Sequence, residues 1–256
     1  MKTRLQLVLL LLISISCGLT SQAQFGFSHE IGVIAGPVAF QSDYGERNDF
    51  DTNKGNVGKG IGIIHYINFA YRADCNCYSR NTYWNDHFKI RSQLTYHVTN
   101  LDHLSPLADK NSIGGLQLRS MEGKAKVIEL GAHLEYYPLS IRDFQNGGTP
   151  FAPYIALGAH YVNYKPEAQS SLGPLGDSTT TFPTFIDRID TDRGSTVAYV
   201  ADIGVRYKLT QLSDVLISSA WHYYDGNYVD GLSPNNVSNR NNDWIWWLNV
   251  GFIYYL

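Results

Sequence analysis

Four histidines are the first residues of this sequence whose side chains could do chemistry. His97, His133, His160 and His222 each fall on the polar side of a segment with alternating polarity. Imidazole nitrogens bind transition metals, but a metal site needs several ligands that converge at fixed geometry. No local spacing of the His-x3-His kind supports such a site. We therefore expect hydrogen-bonded interior histidines, with no metal and no other cofactor.

A hydrolytic enzyme would need a nucleophilic serine close to a histidine that acts as general base. In one family of lipid A deacylases the serine follows the histidine by two residues, whereas His222 is followed by Tyr223 and Tyr224. Because no nucleophile and base can be paired, the sequence predicts a protein without enzymatic activity.

Cys75 and Cys77 form a Cys-x-Cys pair. Two thiols cannot complete a tetrahedral metal site. In an oxidising compartment they could form a disulfide with each other or pair with a partner protein. A purely local role in a loop is the third alternative, because cysteine connectivity cannot be deduced from sequence.

Residues 1–23 have the pattern of a cleaved secretory signal peptide. Lys2 and Arg4 precede an apolar run, and Ser21-Gln22-Ala23 fits the small-x-small cleavage rule. The apolar run is shorter than the roughly 20 residues of a membrane-spanning helix. Cys17 offers a lipoprotein alternative, although Ser14 replaces the leucine that is usual in lipid-attachment motifs.

The rest of the chain is dominated by segments in which apolar and polar residues alternate strictly, the period of a β-strand with two different faces. Eight such segments occur, at residues 27–35, 59–71, 88–98, 127–137, 153–161, 197–208, 215–224 and 244–256. Their lengths are close to the 9–11 residues with which a tilted strand crosses a bilayer. An even number of strands closes an antiparallel barrel with both termini on one side.

The connections between these segments alternate in length. The long ones cover about residues 41–58, 99–126, 165–195 and 225–243, and the shorter ones 72–87, 138–150 and 209–214. Outer-membrane barrels have short periplasmic turns and long outer loops. The final residues, Phe252 to Leu256, are similar to the C-terminal signal of such barrels. We therefore predict an all-β fold, an eight-stranded antiparallel transmembrane β-barrel over residues 24–256 in a Gram-negative outer membrane, with extracellular long loops and periplasmic termini.

Composition agrees with this prediction. Charged residues make up 17% of the chain, below the roughly 25% of soluble domains. The 18 tyrosines and 23 glycines are typical of a β-rich chain in contact with lipid. A net charge of −3 argues against a nucleic-acid partner, which would require a basic surface. The expected partners are outer-membrane lipid and periplasmic or outer-membrane proteins.

A barrel of eight strands has an interior that its own side chains fill. Charged side chains inside it need partners of opposite charge or hydrogen bonds. The alternation therefore predicts a polar network in the lumen instead of a pore. Its predicted members are Glu30, Lys89, Arg91, Glu129, His133, Glu135, Asp202, Arg206 and Lys208.

Four stretches carry a resemblance to known barrels. They are HEIGVIAG at 29–36, GPVAFQSDYGER at 36–47, CNCY at 75–78 and PLSIRDF at 138–144. Over nearly its full length the chain resembles a flavobacterial (Bacteroidetes) outer-membrane barrel family. Its first strand and architecture also resemble the PorG-like barrel of type IX secretion and gliding motility. The resemblance implies a barrel that anchors periplasmic components of a secretion machine.

Three functions follow from these patterns. The first is a non-enzymatic scaffold of an envelope machine, for which Arg142, Asp143 and Phe144 in the turn 138–150 are the candidate partner contact. The second is a surface-binding or adhesion protein that acts through its four long loops. The third is a lipid-modifying enzyme, which the missing nucleophile disfavours.

Overall fold

The computed structural model describes residues 27–45, 49–72, 77–78, 80, 82–234 and 242–256. The predicted signal peptide and Cys75 lie outside the described residues, so the predictions of cleavage and of a Cys75–Cys77 disulfide remain open. In the part of the chain that the structure describes, no helix is long and apolar enough to cross a bilayer.

Ten strands and a few short helices make up the described chain. The strands are β1 (Ser28–Gln41), β2 (Val57–Asn68), β3 (Tyr71–Arg72), β4 (Cys77–Tyr78), β5 (Phe88–Asp102), β6 (Met121–Tyr136), β7 (Phe151–Ser170), β8 (Gly194–Thr210), β9 (Ser213–Tyr224) and β10 (Trp244–Tyr255). The helices are α1 (Phe50–Asn53), α2 (Tyr83–His87), α3 (Ile113–Ser120) and α4 (Ile141–Gln145), with a 3₁₀ turn at Pro183–Phe185.

Eight of the strands form a closed barrel, in the order β1-β10-β9-β8-β7-β6-β5-β2, with every pair antiparallel. The short strands β3 and β4 pair only with each other. The predicted eight-stranded all-β barrel is therefore confirmed.

Closure of the barrel depends on β1 and β10, whose register runs from Glu30 opposite Tyr255 to Gln41 opposite Trp244. A Cβ atom on Gly36 would lie 2.0 Å from the backbone oxygen of Leu248 on β10. Any residue with a side chain would thus push the two strands apart. Glycine at this position permits their close approach.

The wall of the barrel has an apolar outside and a polar inside. Ile61, Leu130 and Leu157 on the outer wall are 59%, 59% and 73% exposed, whereas Arg91 and Arg206 in the lumen are at most 1% exposed. A soluble protein would bury such aliphatic side chains, and a barrel in lipid presents them outward. The outer wall is therefore a lipid-facing surface.

The strands β5 to β8 continue beyond the alternating segments predicted from sequence. The largest difference is in β7, which spans 20 residues where the pattern predicted nine. In the added stretch the polarity of the two faces is reversed. Lys165 and Glu167 on β7 point outward and are exposed, while Val162 on β7 and Ala125 on the added stretch of β6 point inward and are at most 1% exposed. The loop end of the barrel thus has an apolar core and a polar surface, like a soluble β-protein.

Candidate functional site

The lumen holds three layers of polar side chains, and the lowest lies nearest the chain termini. Nη2 of Arg206 donates to Oε2 of Glu30 and to Oδ2 of Asp214, each over 2.6 Å. Nζ of Lys89 donates to the other Glu30 oxygen over 2.7 Å. These four side chains are at most 1% exposed, so every charge in the layer is compensated inside the barrel.

The middle layer is built around Arg91. Its guanidinium pairs with Asp202 through Nη2 and with Glu135 through Nη1, the latter over 3.1 Å. The hydroxyl of Tyr154 donates to Asp202 over 3.3 Å, and that of Tyr137 donates to Glu135 over 2.6 Å. One cation thus joins two carboxylates from β6 and β8.

The upper layer is centred on the carboxylate of Glu129. Its Oε2 atom accepts from Nδ1 of His160 and from Nδ1 of His222, each over 2.7 Å. Its Oε1 atom accepts from the hydroxyl of Tyr224 over 2.8 Å and lies 3.9 Å from Nε2 of His97. All of these side chains are at most 2% exposed.

His133 connects the upper and middle layers. Its Nε2 atom lies 2.6 Å from Nε2 of His160, and its Nδ1 atom lies 3.0 Å from Nη2 of Arg91. Each of the four lumen histidines has a hydrogen-bond partner, which for His97 is the hydroxyl of Thr95, 3.1 Å from Nε2. They also converge, which their spacing did not indicate, because β5, β6, β7 and β9 each supply one of them.

The structure places all nine predicted lumen residues in these three layers, and Lys208 lies 3.4 Å from Asp214 at the edge of the lowest. Sequence reasoning missed Asp214, which was assigned to a connection. It also missed lumen tyrosines that the two-residue period could have identified, since each lies an even number of positions from a polar lumen residue on its own strand. Those on the barrel strands are Tyr66, Tyr154 and Tyr224.

Three side chains of the upper layer could hold a metal ion. One ligand atom from each of His97, Glu129 and His222 lies within 4.8 Å of the other two, and all three residues are buried. A set of two imidazoles and one carboxylate suits zinc and other first-row transition metals.

The loop end of the barrel carries a second group of buried side chains. His103 follows the last residue of β5, and its ring packs 4.7 Å from Tyr44 and 5.2 Å from Phe185, measured between ring centroids. Burial without a compensating charge lowers the pKa of His103 to about 4. Three connections thus meet at one imidazole that stays neutral at physiological pH.

Buried carboxylates fasten the outer connections to each other. The backbone N–H of Asp43 donates to Asp230 in another connection over 2.6 Å, and Asp243 orders the connection that contains Asp230 by accepting from the N–H of Val229 over 2.9 Å. An isolated bridge pairs Ile189 with Leu232. The loop end is therefore a folded unit built from several connections.

The terminus end is closed by α4. Ser140 caps this helix by accepting from the backbone N–H of Asp143, and Phe144 is only 1% exposed. The ring centroid of Phe144 lies 5.3 Å from Nζ of Lys208, at the mouth of the lumen. Arg142 is held against Asp86, with Nε 3.6 Å from the carboxylate. Of the three candidate partner residues, only Asp143 has an exposed side chain.

Comparison with known proteins concerns the fold. No family model matches the sequence, and no curated protein matches it. Among solved structures, the chain is similar to Neisserial surface protein A (NspA), with 14% identity, coverage of 88% of this chain and 96% of that one, and a TM-score of 0.46. It is similar to a major outer membrane protein from Thermus thermophilus, with 12% identity, coverages of 89% and 99%, and a TM-score of 0.47. It is also similar to Ail of Yersinia pestis in complex with the heparin analogue sucrose octasulfate, with 10% identity, coverages of 90% and 100%, and a TM-score of 0.42.

Proposed function

We propose that this chain is a non-enzymatic outer-membrane barrel that displays a folded binding head outside the cell. The head consists of the loop-end extensions of β5 to β8 and the described parts of the four long connections. The observation that carries the proposal is the reversal of polarity along β5, β6 and β7. A barrel that only spans the membrane needs no water-exposed extension with its own apolar core. Here the extension, together with the outer connections, buries Leu101, Leu118 and Leu232 to at least 96%. A preformed surface of this kind binds a partner without the entropic cost of ordering its loops.

The head also exposes apolar side chains that its own core does not use. On α3, Ile113 is 78% exposed and Leu116 is 47% exposed, and Leu107 in the preceding loop is 40% exposed. Exposed apolar side chains on a water-facing surface often mark a site of protein contact. We infer that α3 and the loop before it contact the partner, and that the partner is a protein with a complementary apolar patch.

The proposal places the long connections outside the cell and the termini in the periplasm. The predicted signal peptide, the lipid-facing wall and the short turns at the terminus end support this orientation. It can be tested with two epitope tags, one inserted after Gly176 in an outer connection and one after Gly147 in the turn after α4. Both glycines have open space where a Cβ would stand. Antibody should label the Gly176 tag on intact cells and the Gly147 tag only after permeabilisation.

Binding by the head can be tested with a photo-reactive residue at Ile113 and a matched one at Asp143, at the opposite end of the barrel. A specific cross-linked protein at position 113, lost when Leu116 is replaced by Asp, would support a surface-binding function. Cross-links only from position 143 would contradict it.

A second candidate is a periplasmic scaffold, which one observation favours. The turn that carries α4 is tied to the turn that carries α2, since Oδ1 of Asp86 accepts from the hydroxyl of Ser140 and from the N–H of Arg142 over 3.0 and 3.1 Å. The two turns thus form one rigid surface with Asp143 exposed on it. In this proposal Arg142 and Phe144 hold that surface in place, and a role in type IX secretion rests on the resemblance of the sequence to PorG-like barrels.

A further inference from the structure

Glu129 is distinguished from the other lumen carboxylates by its lack of a permanent cation. Glu30 and Asp214 pair with Arg206, and Glu135 and Asp202 pair with Arg91. Within the described chain, the ion-pair partners of Glu129 are histidines alone. A buried carboxylate requires a compensating positive charge. Around Glu129 that charge must come from a protonated imidazole or from a bound cation.

The arrangement of the imidazoles favours a cation. A single proton would need one histidine beside Glu129, but three surround it, and the donor atoms of His97, His222 and Glu129 lie within 4.8 Å of one another. The gap of 3.9 Å between Nε2 of His97 and Oε1 of Glu129 is too long for a hydrogen bond. An ion about 2.1 Å from each atom would bridge this gap.

The ring nitrogens that face away from Glu129 take no part in orienting the two imidazoles. Nδ1 of His97 and Nε2 of His222 form no hydrogen bond with any described residue. Each ring is therefore oriented by the nitrogen that faces Glu129, by packing against Trp247 at 4.7 and 6.1 Å between centroids and, for His97, by the Thr95 hydroxyl 3.1 Å from Nε2.

We propose that His97, Glu129 and His222 bind one divalent first-row transition-metal ion inside the lumen. His97 supplies Nε2, His222 supplies Nδ1, and Glu129 supplies a carboxylate oxygen. Binding of the ion requires both nitrogens to be unprotonated, so it replaces the hydrogen bonds that they form with Thr95 and Glu129. His160 and Tyr224 do not coordinate the ion. They donate hydrogen bonds to the carboxylate and hold its orientation, as groups next to metal ligands commonly do.

The position of the site determines how the ion enters. All three ligands are at most 2% exposed, Trp247 packs against both imidazoles, and the Arg91 layer lies toward the terminus end. The ion is therefore captured while the barrel folds, and it exchanges slowly afterwards. A metal that joins β5, β6 and β9 also stabilises the folded state over the unfolded chain.

The test uses the full protein produced in cells grown with added Zn²⁺ or Co²⁺, extracted in mild detergent and dialysed against a chelator. Elemental analysis by mass spectrometry should find about one ion per chain, because the site holds a single metal. The Co²⁺ form should show the absorption bands of a low-symmetry nitrogen and oxygen site. In the double variant His97→Gln, His222→Gln the metal content should fall about tenfold or more.

The matched control is the double variant His29→Gln, His65→Gln, since the ring nitrogens of these two imidazoles also lie 3.0 Å apart but outside the lumen. It should retain the full metal content. Heat-modifiable migration on gels shows whether each variant has folded, and Glu129→Gln replaces the double variant if that variant does not fold. Wild-type protein without metal, or equal metal in the lumen variants, would overturn the proposal in favour of a protonated histidine. Loss of metal in the control variant alone would overturn it in favour of a site at His29 and His65.

Discussion

Arg91 and His133 form a hydrogen bond that fixes the tautomers of two histidines. Nη2 of Arg91 lies 3.0 Å from Nδ1 of His133. A guanidinium has only donors, so Nδ1 of His133 must accept and the neutral ring carries its proton on Nε2. That proton points at Nε2 of His160 over 2.6 Å, which leaves Nδ1 of His160 as the donor to Glu129. The middle and upper layers are thus joined in one direction, from Arg91 to the carboxylate.

The tautomers of His133 and His160 can be observed directly. We expect His133 to be protonated on Nε2 and His160 on Nδ1 in the folded protein, because the donor-only guanidinium excludes the opposite arrangement. Long-range proton–nitrogen correlation spectra of protein with ¹⁵N-labelled histidine report the tautomer of each ring. His133→Gln serves to assign the signals. A proton on Nδ1 of His133 would contradict the arrangement.

Replacement of Arg206 by Ala should destabilise the barrel by about 3–5 kcal/mol, because Glu30 and Asp214 would lose the buried cation that joins them. Urea unfolding in lipid vesicles, followed by tryptophan fluorescence, measures the loss. The control is Arg188→Ala in an outer loop, which should stay within about 0.5 kcal/mol of the wild type. Similar stability for the two variants would show that the lowest layer does not hold the barrel together.

Phe144→Ala should lower the free energy of unfolding by about 3 kcal/mol, the lower end of the range for truncation of a buried phenylalanine. The ring is 1% exposed and covers Lys208 and Arg206 at the mouth of the lumen, so its removal lets water reach both cations. The same unfolding measurement tests this. Asp143→Ala, at the neighbouring exposed position, should change stability by less than about 1 kcal/mol.

The packing of the head should weaken in acid because of His103. Its pKa is about 4 in the folded protein against an ordinary value of 6.5. The opened loop therefore takes up a proton at a pH where the folded head does not. The stability that the neutral His103 ring gives the folded head is complete above pH 6.5 and is lost as the pH falls toward 4. The loss is up to about 3 kcal/mol, at 1.4 kcal/mol per pKa unit. Hydrogen exchange of residues 42–45 and 182–190 should rise over this range in the wild type. The variant His103→Gln should show no such pH dependence. Exchange rates in the wild type that do not change with pH would contradict the prediction.

Gly36→Ala should impair closure of the barrel, since the added methyl group would meet the backbone of β10 and not a side chain that can turn away. We expect the free energy of unfolding to fall by about 3 kcal/mol, as for severe overpacking. The fraction of heat-modifiable, folded protein after refolding in detergent measures it. Gly226→Ala is the matched control, because its Cβ would be 3.3 Å from Oγ1 of Thr196. Equal folding of both variants would mean that β1 and β10 can separate without cost.

Several features could be predicted from sequence because they depend on local periodicity. Successive side chains of a strand point to opposite faces, so the alternation around Phe88 to Val98 assigned Lys89 and Arg91 to the lumen before any strand pairing was known. The number of strands followed from counting such segments. The extension of β7 was missed because the wall leaves the lipid beyond Tyr161, where the alternation continues with a polar outer face and an apolar inner face.

The sequence by itself thus determined the class of fold, the number of strands and the face on which most charged residues lie. It could do so because contact with lipid imposes a two-residue pattern on each strand separately. Only the tertiary structure decided which lumen residues meet. Glu129 is brought to His160 by pairing of β6 with β7, to His97 by pairing of β5 with β6, and to His222 by the closure of the barrel across the lumen. Those contacts depend on register and stagger between strands, which no single segment encodes.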